Sequence, residues 1–329
     1  VIDCIPISGQ TSGNTSALAN INPSDIVTME VLKDASATAI YGTRAANGVI
    51  LITTRQGQSG ATRISYEGYY GIQQLPNELD VLNLREYAVY QNLRAEVIGF
   101  GAREEFKDPS ALSKGTNWQR EIFRSAPVQN HQVSITGGNE KNRFAIMGGY
   151  LDQEGIALGS GFERYSLRIN LDNQIKKWLN VGVNSYIARR KQVNTIDNGK
   201  IIETAIKQLP EVPVRNSDGS WGTQQENMYG TYFSNPVADA LAGENYNKAP
   251  DIRIRGYVDI IPLKGLTLRA EASANLNYNT DYQYVPLIDY GYHQQASSGS
   301  RSAGNNSHMN LLTYATYEKR IGRPRCLIR

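Results

Sequence analysis

A chain of 329 residues is long enough for two structural units or one large one. Its 34 basic and 31 acidic side chains leave a formal net charge of +3, which excludes nucleic-acid binding driven by charge alone. The two cysteines, Cys4 and Cys326, stand far apart and the three histidines follow no metal-ligand spacing, so no disulfide framework, metal centre or other cofactor is predicted.

Residues 1–57 are predicted to form a small α/β unit. The segment VTMEVLK, residues 27–33, alternates apolar and polar side chains as a strand does. The run VILITT, residues 49–54, is β-branched and apolar enough for a second strand that is buried on both faces. Between them, Asp34 is placed to cap a short helix through ASATAIY, and Gly42 is placed to end it.

From Ile64 onward the pattern changes to strict alternation, which predicts strands with one apolar and one polar face. In RYSLRINLD, residues 164–172, the polar face carries Arg164 and Arg168. In LTLRAEASANLNY, residues 266–278, leucines and alanines alternate with polar residues. After a linker at 58–63, the eight predicted strands are 64–74, 130–137, 143–152, 164–172, 179–189, 252–261, 266–278 and 308–319.

The connections between these strands alternate between short turns and long loops. The turns include GGNEKN at 137–142 and PLKG at 262–265, whereas the long loops are 75–129, 190–251 and 279–307. This asymmetry is typical of a transmembrane β-barrel, whose tilted strands need about 9–11 residues to cross the bilayer. A soluble antiparallel β-sandwich that binds carbohydrate or protein also alternates, and it is the competing hypothesis.

The long loops are expected to carry structure and ligand-binding side chains. Helices are predicted over 82–97 and 197–209, and a hairpin is predicted over 214–222 with Asp218 and Gly219 at its tip. Aromatic rings in such loops either stack on the apolar faces of sugars or pack within their own loop. The candidate ligand-contacting aromatics are Trp221, Tyr229, Tyr232, Tyr282, Tyr284 and Tyr290, with Tyr246 and Tyr292 nearby.

Catalysis is not predicted for this chain. The sequence has no G-x-S-x-G, no H-E-x-x-H and no Walker pattern, and the adjacent carboxylates Glu104 and Glu105 lie in a charged, helix-like stretch that suits a solvated face. No apolar run approaches the ~18 residues of a membrane-spanning helix.

The residues from 22 to 57 carry a family resemblance. NPSDIVTMEVLKDASATAIYGTRAANGVILITTRQG closely resembles the end of the plug domain in SusC/RagA-type TonB-dependent outer-membrane transporters. The likeness continues through NWQREIF at 117–123, and through 129–156 and 162–186, which resemble the first barrel strands of that family. Cys4 departs from the family, which usually has glycine in this V-D-G-x-P-like opening.

The resemblance implies a fold and a function. It implies that 1–57 is the C-terminal part of a plug, that 64–320 is the first part of a larger antiparallel transmembrane barrel, and that 321–329 is an irregular or truncated end. It further implies TonB-dependent import of nutrients, foremost oligosaccharides and otherwise peptides, across a Gram-negative outer membrane, gated by plug rearrangement. The implied partners are a SusD-like surface lipoprotein, the TonB–ExbB–ExbD complex acting through a region outside this sequence, and outer-membrane lipid, but no nucleic acid. A further hypothesis is that the 329-residue chain does not transport by itself.

Six plug residues are candidates for holding the plug together while part of it is pulled: Asp34, Tyr41, Gly42, Arg44, Asn47 and Gly48. Their simpler roles are cap, packing and turn, with Asn47 and Gly48 forming a turn dipeptide. Arg44 has a second candidate role, because a guanidinium binds a carboxylate bidentately. It is predicted to fasten the plug to the barrel wall through Glu67 or Glu271.

Overall fold

The structure is a computed structural model, and it describes residues 1–2, 21–33, 48–196, 200–223, 234–290, 294–320 and 325–328. One large antiparallel sheet makes up most of it, and a two-stranded hairpin lies against one face of that sheet. We call the face that carries the hairpin the inner face and the opposite face the outer face.

Eight long strands follow one another through the large sheet in chain order, and each is antiparallel to the next. All eight predicted strands are confirmed, and each extends beyond its predicted bounds at one end or both. The hairpin consists of β1 (Ile26–Leu32) and β2 (Val49–Thr54); the long strands are β3 (Gly60–Gln73), β4 (Ala126–Gly138), β5 (Asn142–Glu154), β6 (Gly161–Lys176), β7 (Leu179–Val193), β8 (Glu244–Leu263), β9 (Leu266–Val285) and β12 (Ser298–Arg320).

The two faces of the sheet have the reverse of a soluble protein's polarity. Apolar side chains on the outer face are exposed: Val133, Leu167, Val183, Ile187, Ile254, Val258, Ile260, Leu268, Met309 and Leu311. Polar side chains on the inner face are buried: Gln132, Arg164, Arg168, Asn170, Asn184, Arg190, Asp251, Arg253, Arg255, Asp259, Glu271 and Asn275. A sandwich buries its apolar face against a second layer, and no such layer covers the outer face among the described residues. This polarity is typical of a transmembrane barrel.

Short turns lie at one end of the sheet and long connections at the other. The turns after β4, β6 and β8 are the short ones, and the connections after β3 and β7 are the long ones. We call these the short-turn end and the long-loop end.

The predicted long loop at 279–307 is wrong. The strand β9 continues to Val285, and β12 already begins at Ser298. Residues 276–285 of β9 pair in register with residues 298–307 of β12. Between them lie two short strands, β10 (Ile288–Asp289) and β11 (Gln294–Gln295). The segment NYNTDYQY, residues 277–284, is polar on both faces, so its alternation lacks the apolar contrast by which a strand is recognised.

The irregular end that the sequence predicts at 321–329 is also wrong in part. Residues Arg325–Ile328 form β13, which pairs antiparallel with the end of β12. A strand at the edge of a sheet presents unpaired N–H and C=O groups, and these accept a further strand of almost any sequence.

The hairpin has one buried and one open face. Ile2, Ile21 and Ile52 form its core, with Ile26 packed against them. The prediction that β2 is buried on both faces is wrong, because Ile50 is 40% exposed. Ile50 lies directly opposite Val31 of β1, which is exposed as well.

The long connections fold into a layer at the long-loop end. The helices are α1 (Leu84–Val97), α2 (Trp118–Ile122), α3 (Ile201–Lys207) and α4 (Pro236–Leu241), so both predicted helices are present. Asn83 begins α1, because its side chain accepts hydrogen bonds from the backbone N–H groups of Arg85 and Glu86. The Glu86 carboxylate in turn accepts a hydrogen bond from the Asn83 N–H at 2.9 Å. The predicted hairpin tip at Gly219 is present too, with φ +86°.

This layer has an apolar core that joins the two long connections. Trp118 and Ile122 from the first pack with Ile201, Ala205 and Val237 from the second. The Trp118 indole also donates to the Leu209 carbonyl at 2.9 Å.

Ion pairs add to this layer at its surface. Arg103 of the first connection pairs with Glu211 of the second at 3.0 Å. Within the first connection, a hydrogen bond from Arg120 lowers the pKa of the Glu78 carboxyl. Surface ion pairs of this kind contribute about 0–1 kcal/mol each to stability. The apolar core therefore contributes more than they do to holding the two connections together.

Within the described ranges, none of the helices has the length and apolar character needed to cross a membrane.

The open edge of the sheet generates a prediction for the 329-residue polypeptide expressed alone. Among the described strands, β3 pairs only with β4, so its other edge and the apolar outer face are both open to association. We expect this polypeptide to aggregate in detergent-free buffer, as measured by size-exclusion chromatography and light scattering. A monodisperse species that unfolds in one cooperative transition in dilute buffer would contradict the expectation.

Candidate functional site

A short 3₁₀ turn leads into the hairpin and carries the carboxylate on which the site is built. The turn spans Pro23–Asp25, and the Asn22 side chain caps it by accepting a hydrogen bond from the Ser24 N–H at 3.4 Å. Proline fixes the backbone at the first position of the turn, and an asparagine before it satisfies a free N–H. The Asp25 carbonyl accepts a hydrogen bond from the Arg55 N–H at 2.8 Å, which ties the turn to the end of β2. The Asp25 side chain therefore has a fixed direction.

The Asp25 carboxylate binds the inner face of the large sheet through both of its oxygens. Arg168 of β6 donates from Nε to Oδ2 at 3.2 Å, and Gln132 of β4 donates from Nε2 to Oδ1 at 2.7 Å. The side chains of the ion pair are each only 4% exposed. Asn22 completes the group by donating from its side-chain amide to Oε1 of the Gln132 side chain at 2.9 Å. We call Asn22, Asp25, Gln132 and Arg168 the hairpin contact.

Further hydrogen bonds from β6 surround the hairpin contact. Arg168 donates to the Thr54 hydroxyl at 3.2 Å, and Asn170 donates to the Arg55 carbonyl at 2.9 Å. Arg164 donates to the Ile21 carbonyl at 2.9 Å. Side chains at i and i+2 of a strand share a face. The inward-facing residues of β6 therefore bind the chain both just before β1 and just after β2.

The inner face continues past the hairpin contact as a row of paired charges. Arg255 pairs with Glu271 at 2.6 Å, and Arg253 pairs with Asp251. The centroid of the Tyr186 ring lies 4.8 Å from the guanidinium carbon of Arg168 and 5.3 Å from that of Arg253. Pairing of this kind is required because an unpaired charge in a dry interior is costly.

A cavity of about 720 Å³ lies above the hairpin contact, towards the long-loop end. Its floor is the turn that contains Pro23 and Ser24, and its wall is the inner face of β3 to β7. The lining includes several amide side chains and two aromatic rings among small and aliphatic residues, and Arg164 is the one charged residue among the described lining residues. The side chains that matter for the argument below are Tyr69, Asn130, Gln153, Phe162 and Gln192.

Of the six plug residues singled out by sequence, Gly48 alone lies within the described residues. Its φ is +89°, and a Cβ there would lie 3.0 Å from the Leu32 carbonyl, so the turn requires glycine. Asp34, Tyr41, Gly42, Arg44 and Asn47 lie outside the described residues.

The two carboxylates proposed as partners of Arg44 have other neighbours in the structure. Glu271 binds Arg255 within the sheet, and Glu67 lies 3.9 Å from Arg55 at the end of β2. The described fastening of hairpin to wall has the opposite arrangement of charge from the one expected, since the hairpin side supplies the carboxylate of Asp25 and the wall supplies Arg168.

The candidate ligand-contacting aromatics do not converge on the cavity. Tyr290 is 1% exposed and donates its hydroxyl to Asp239, and Trp221 packs against both apolar clusters of the long-loop layer. Tyr282 and Tyr284 belong to β9 rather than to a loop, and they share the outer face with Leu268. The rings of these four residues are absent from the cavity lining. Tyr229, Tyr232 and Tyr292 lie outside the described residues.

Sequence reasoning placed Arg164 and Arg168 on the correct face but missed the hairpin contact itself. No part in fastening the plug to the wall was predicted for Asp25 or for Gln132. The available signal was the acidic side chain immediately before a strand of the hairpin, together with arginines on the polar face of a predicted barrel strand.

Comparison with known proteins agrees with this geometry. Residues 1–49 match the family described as the TonB-dependent Receptor Plug Domain. The chain is 36% identical over 315 residues to the TonB-dependent receptor SusC of Bacteroides thetaiotaomicron, covering 92% of this chain and 29% of that protein. It is 30% identical over 332 residues to TonB-dependent receptor P3 of Formosa agariphila, covering 94% of this chain and 32% of that protein. The chain thus spans about a third of the length of these curated relatives.

Solved structures share the fold. The RagAB peptide importer in its "open-open" state matches with a TM-score of 0.73 at 26% identity, covering 93% of this chain and 38% of that one. The "closed-closed" state of the same importer matches with a TM-score of 0.76 at 24% identity, covering 98% and 39%. The structure places a plug hairpin against the polar inner face of an outwardly apolar antiparallel sheet of eight long strands. Together with the plug-domain match, the similarity to SusC and the likeness to RagAB, this supports a fragment of a SusC/RagA-type TonB-dependent transporter.

Proposed function

We propose that this chain is part of a transporter that imports oligosaccharides across the outer membrane of a Gram-negative bacterium, driven by TonB and gated by the plug. The observation that carries the proposal is the buried hairpin contact between Asp25 and Arg168, on the inner face of a sheet whose outer face is apolar. A soluble binding protein has no use for this reversed polarity, whereas a barrel around a plug requires it. Catalysis forms no part of the proposal.

The cavity supports a neutral, hydroxyl-rich cargo. Its wall offers the amides of Asn130, Gln153 and Gln192, which both donate and accept hydrogen bonds, and the rings of Tyr69 and Phe162. Sugar hydroxyls suit amides, and the apolar faces of sugar rings suit aromatic side chains. Arg164, the charged lining residue, already donates to the Ile21 carbonyl.

Peptides are the second candidate cargo. The two solved relatives named above are described as a peptide importer. A peptide backbone also offers donors and acceptors for the amides of the cavity.

Gating follows from the position of the hairpin contact between the cavity and the rest of the barrel interior. A buried ion pair holds firmly while both partners are present, because separation leaves each charge in a dry site. Once the plug is pulled away, water enters and hydrates both groups, so the separated state loses most of its penalty. The contact therefore resists small displacements and gives way to a large one.

The partners belong to the same proposal. A cytoplasmic-membrane complex of the TonB–ExbB–ExbD type supplies the pull on the plug through a region outside this sequence. A SusD-like surface lipoprotein covers the long-loop end, where the two long connections form a stable platform around Trp118 and Ile201.

The hairpin contact generates a prediction for the complete transporter. Arg168→Met leaves the Asp25 carboxylate buried with Gln132 as its remaining partner, and loss of one member of a buried pair costs about 3–5 kcal/mol. We expect the plug to unfold at a lower denaturant concentration and the cells to become sensitive to large antibiotics that the intact outer membrane excludes.

A matched control separates this effect from the loss of any arginine. Arg120→Met breaks the exposed pair with Glu78, for which we expect a change of about 1 kcal/mol or less and no antibiotic sensitivity. Equal behaviour of the two variants would contradict the role assigned to the hairpin contact.

The cavity generates a second prediction. Phe162→Ala removes a ring from the cavity wall, and aromatic contacts are worth about 0.5–1.5 kcal/mol, so we expect the half-saturating cargo concentration to rise about 2- to 10-fold. Uptake of a fluorescent cargo by cells measures this change. Leu167→Ala, on the outer face of the same strand, serves as the control and leaves uptake unchanged. An unchanged half-saturation in Phe162→Ala would remove the cavity from the cargo path.

Deletion of the gene tests the function as a whole. We expect the deletion strain to lose growth on a defined set of oligosaccharides, and we expect deletion of TonB to cause the same loss. If growth is lost on peptides but not on oligosaccharides, the cargo is peptide rather than oligosaccharide. Growth that persists on both would overturn the import function.

A further inference from the structure

A row of aromatic rings crosses the outer face of the sheet near the long-loop end. Tyr66 and His131 stack at 6.1 Å and share a hydrogen bond of 2.6 Å, His131 and Tyr150 stack at 6.4 Å, and Tyr150 contacts Tyr165 at 4.9 Å between ring centroids. These rings belong to the successive strands β3 to β6. In membrane barrels such a row marks the boundary between the hydrocarbon and the polar head groups.

Two lysines lie one step beyond this row, towards the long-loop end. Lys191 of β7 stands directly opposite Lys248 of β8, and Arg189 stands opposite Tyr165. The ammonium groups of Lys191 and Lys248 lie 5.4 and 4.6 Å from the centroid of the Tyr246 ring. Tyr246 in turn stacks on Tyr282 at 4.9 Å. We call Lys191 and Lys248 the outer lysine pair.

Neither lysine of the outer lysine pair forms an ion pair within the described part of the chain. Neither ammonium group has a carboxylate oxygen within 4.0 Å. Glu163, which faces Lys191 from β6, instead accepts the Tyr165 hydroxyl at 2.9 Å, and Asp152 beside it accepts Gln129. Like charges placed directly opposite one another destabilise a sheet. An anion between them would remove this repulsion.

The depth of the pair in a bilayer follows from the strand that carries Lys248. From Pro250 to Pro262, the outer-face positions of β8 hold no charged side chain. At about 3.4 Å per residue and a tilt of about 45°, this stretch rises about 25–30 Å, which is the thickness of the hydrocarbon layer. Lys248 therefore lies immediately beyond the hydrocarbon, at the level of the head groups of the outer leaflet.

We propose that the outer lysine pair binds the phosphate of a phosphorylated glycolipid in the outer leaflet, with the stacked rings of Tyr246 and Tyr282 beside its head group. The inference rests on the outer-membrane location within the proposed function, but it is independent of the cargo. Lysine is a point-charge phosphate ligand that tolerates the variable geometry of a lipid head group.

The test uses the complete transporter purified in an uncharged detergent. The probes are lipopolysaccharide and the same lipopolysaccharide after enzymatic removal of its lipid phosphates, and native mass spectrometry measures how much of each stays bound. The test variant is Lys191→Gln/Lys248→Gln. The matched control is Lys176→Gln/Lys177→Gln, which changes the same number of lysines where β6 turns into β7 at the short-turn end.

We expect the wild-type protein and the control variant to prefer the phosphorylated lipid by about 30-fold, and we expect the test variant to lose that preference. Thermal unfolding in detergent confirms that each variant is folded. Equal binding of the two lipids by the wild type, or an unchanged preference in the test variant, overturns the proposal. Displacement of the lipid by millimolar inorganic phosphate overturns the lipid assignment and leaves a simple anion site. Cargo uptake by the test variant stays at the wild-type level, so failure here is distinguishable from failure of the import function.

Discussion

The ion pair between Asp25 and Arg168 is the interaction on which the arrangement of the molecule depends. It joins the turn before the plug hairpin to the middle of the barrel wall, and both side chains are almost inaccessible to water. A buried ion pair stabilises little unless further hydrogen bonds reach its remaining polar atoms, and here Gln132 donates to the Asp25 carboxylate and Thr54 accepts from Arg168. The backbone of the turn fixes the carboxylate, and the pleat of β6 fixes the guanidinium. The docking of the plug thus depends on the local geometry of both the turn and the strand.

The same pleat gives the wall a polar inner face and an apolar outer face. Every second residue of β6 points inward, and Arg164, Arg168 and Asn170 all bind the hairpin or its flanks. The residues between them, such as Leu167 and Leu171, point outward and are exposed. A shift of one residue in register would exchange the two sets and destroy both the plug docking and the outer surface. The register of each strand therefore determines both the contact with the plug and the apolar outer surface.

The sequence predicted the sheet well and the site poorly, for physical reasons. Strand positions follow from period-two alternation, which is local, and all eight strands are confirmed. Alternation needs contrast, so NYNTDYQY at 277–284 was missed where the strand is polar on both faces. Asp25 and Gln132 are distant in sequence, and their contact depends on how the plug lies in the wall. No local pattern encodes such a contact. Tyr282 and Tyr290 were predicted as ligand contacts from their residue type alone. Their surroundings depend on burial and strand register, which residue type does not indicate.

The choice of cation on each face of the wall follows from the neighbours that each face offers. On the inner face, Arg168 meets a carboxylate, a hydroxyl and the Tyr186 ring at once, and a planar group with several fixed donors serves all three. On the outer face, Lys191 and Lys248 meet no fixed protein acceptor in the described chain, and a compact ammonium on a flexible stem adapts to groups that move. Charge on the inner face thus holds one partner in a single position, whereas charge on the outer face suits a fluid environment. If the outer lysine pair binds a lipid phosphate as proposed, that phosphate offsets the repulsion between the two ammonium groups.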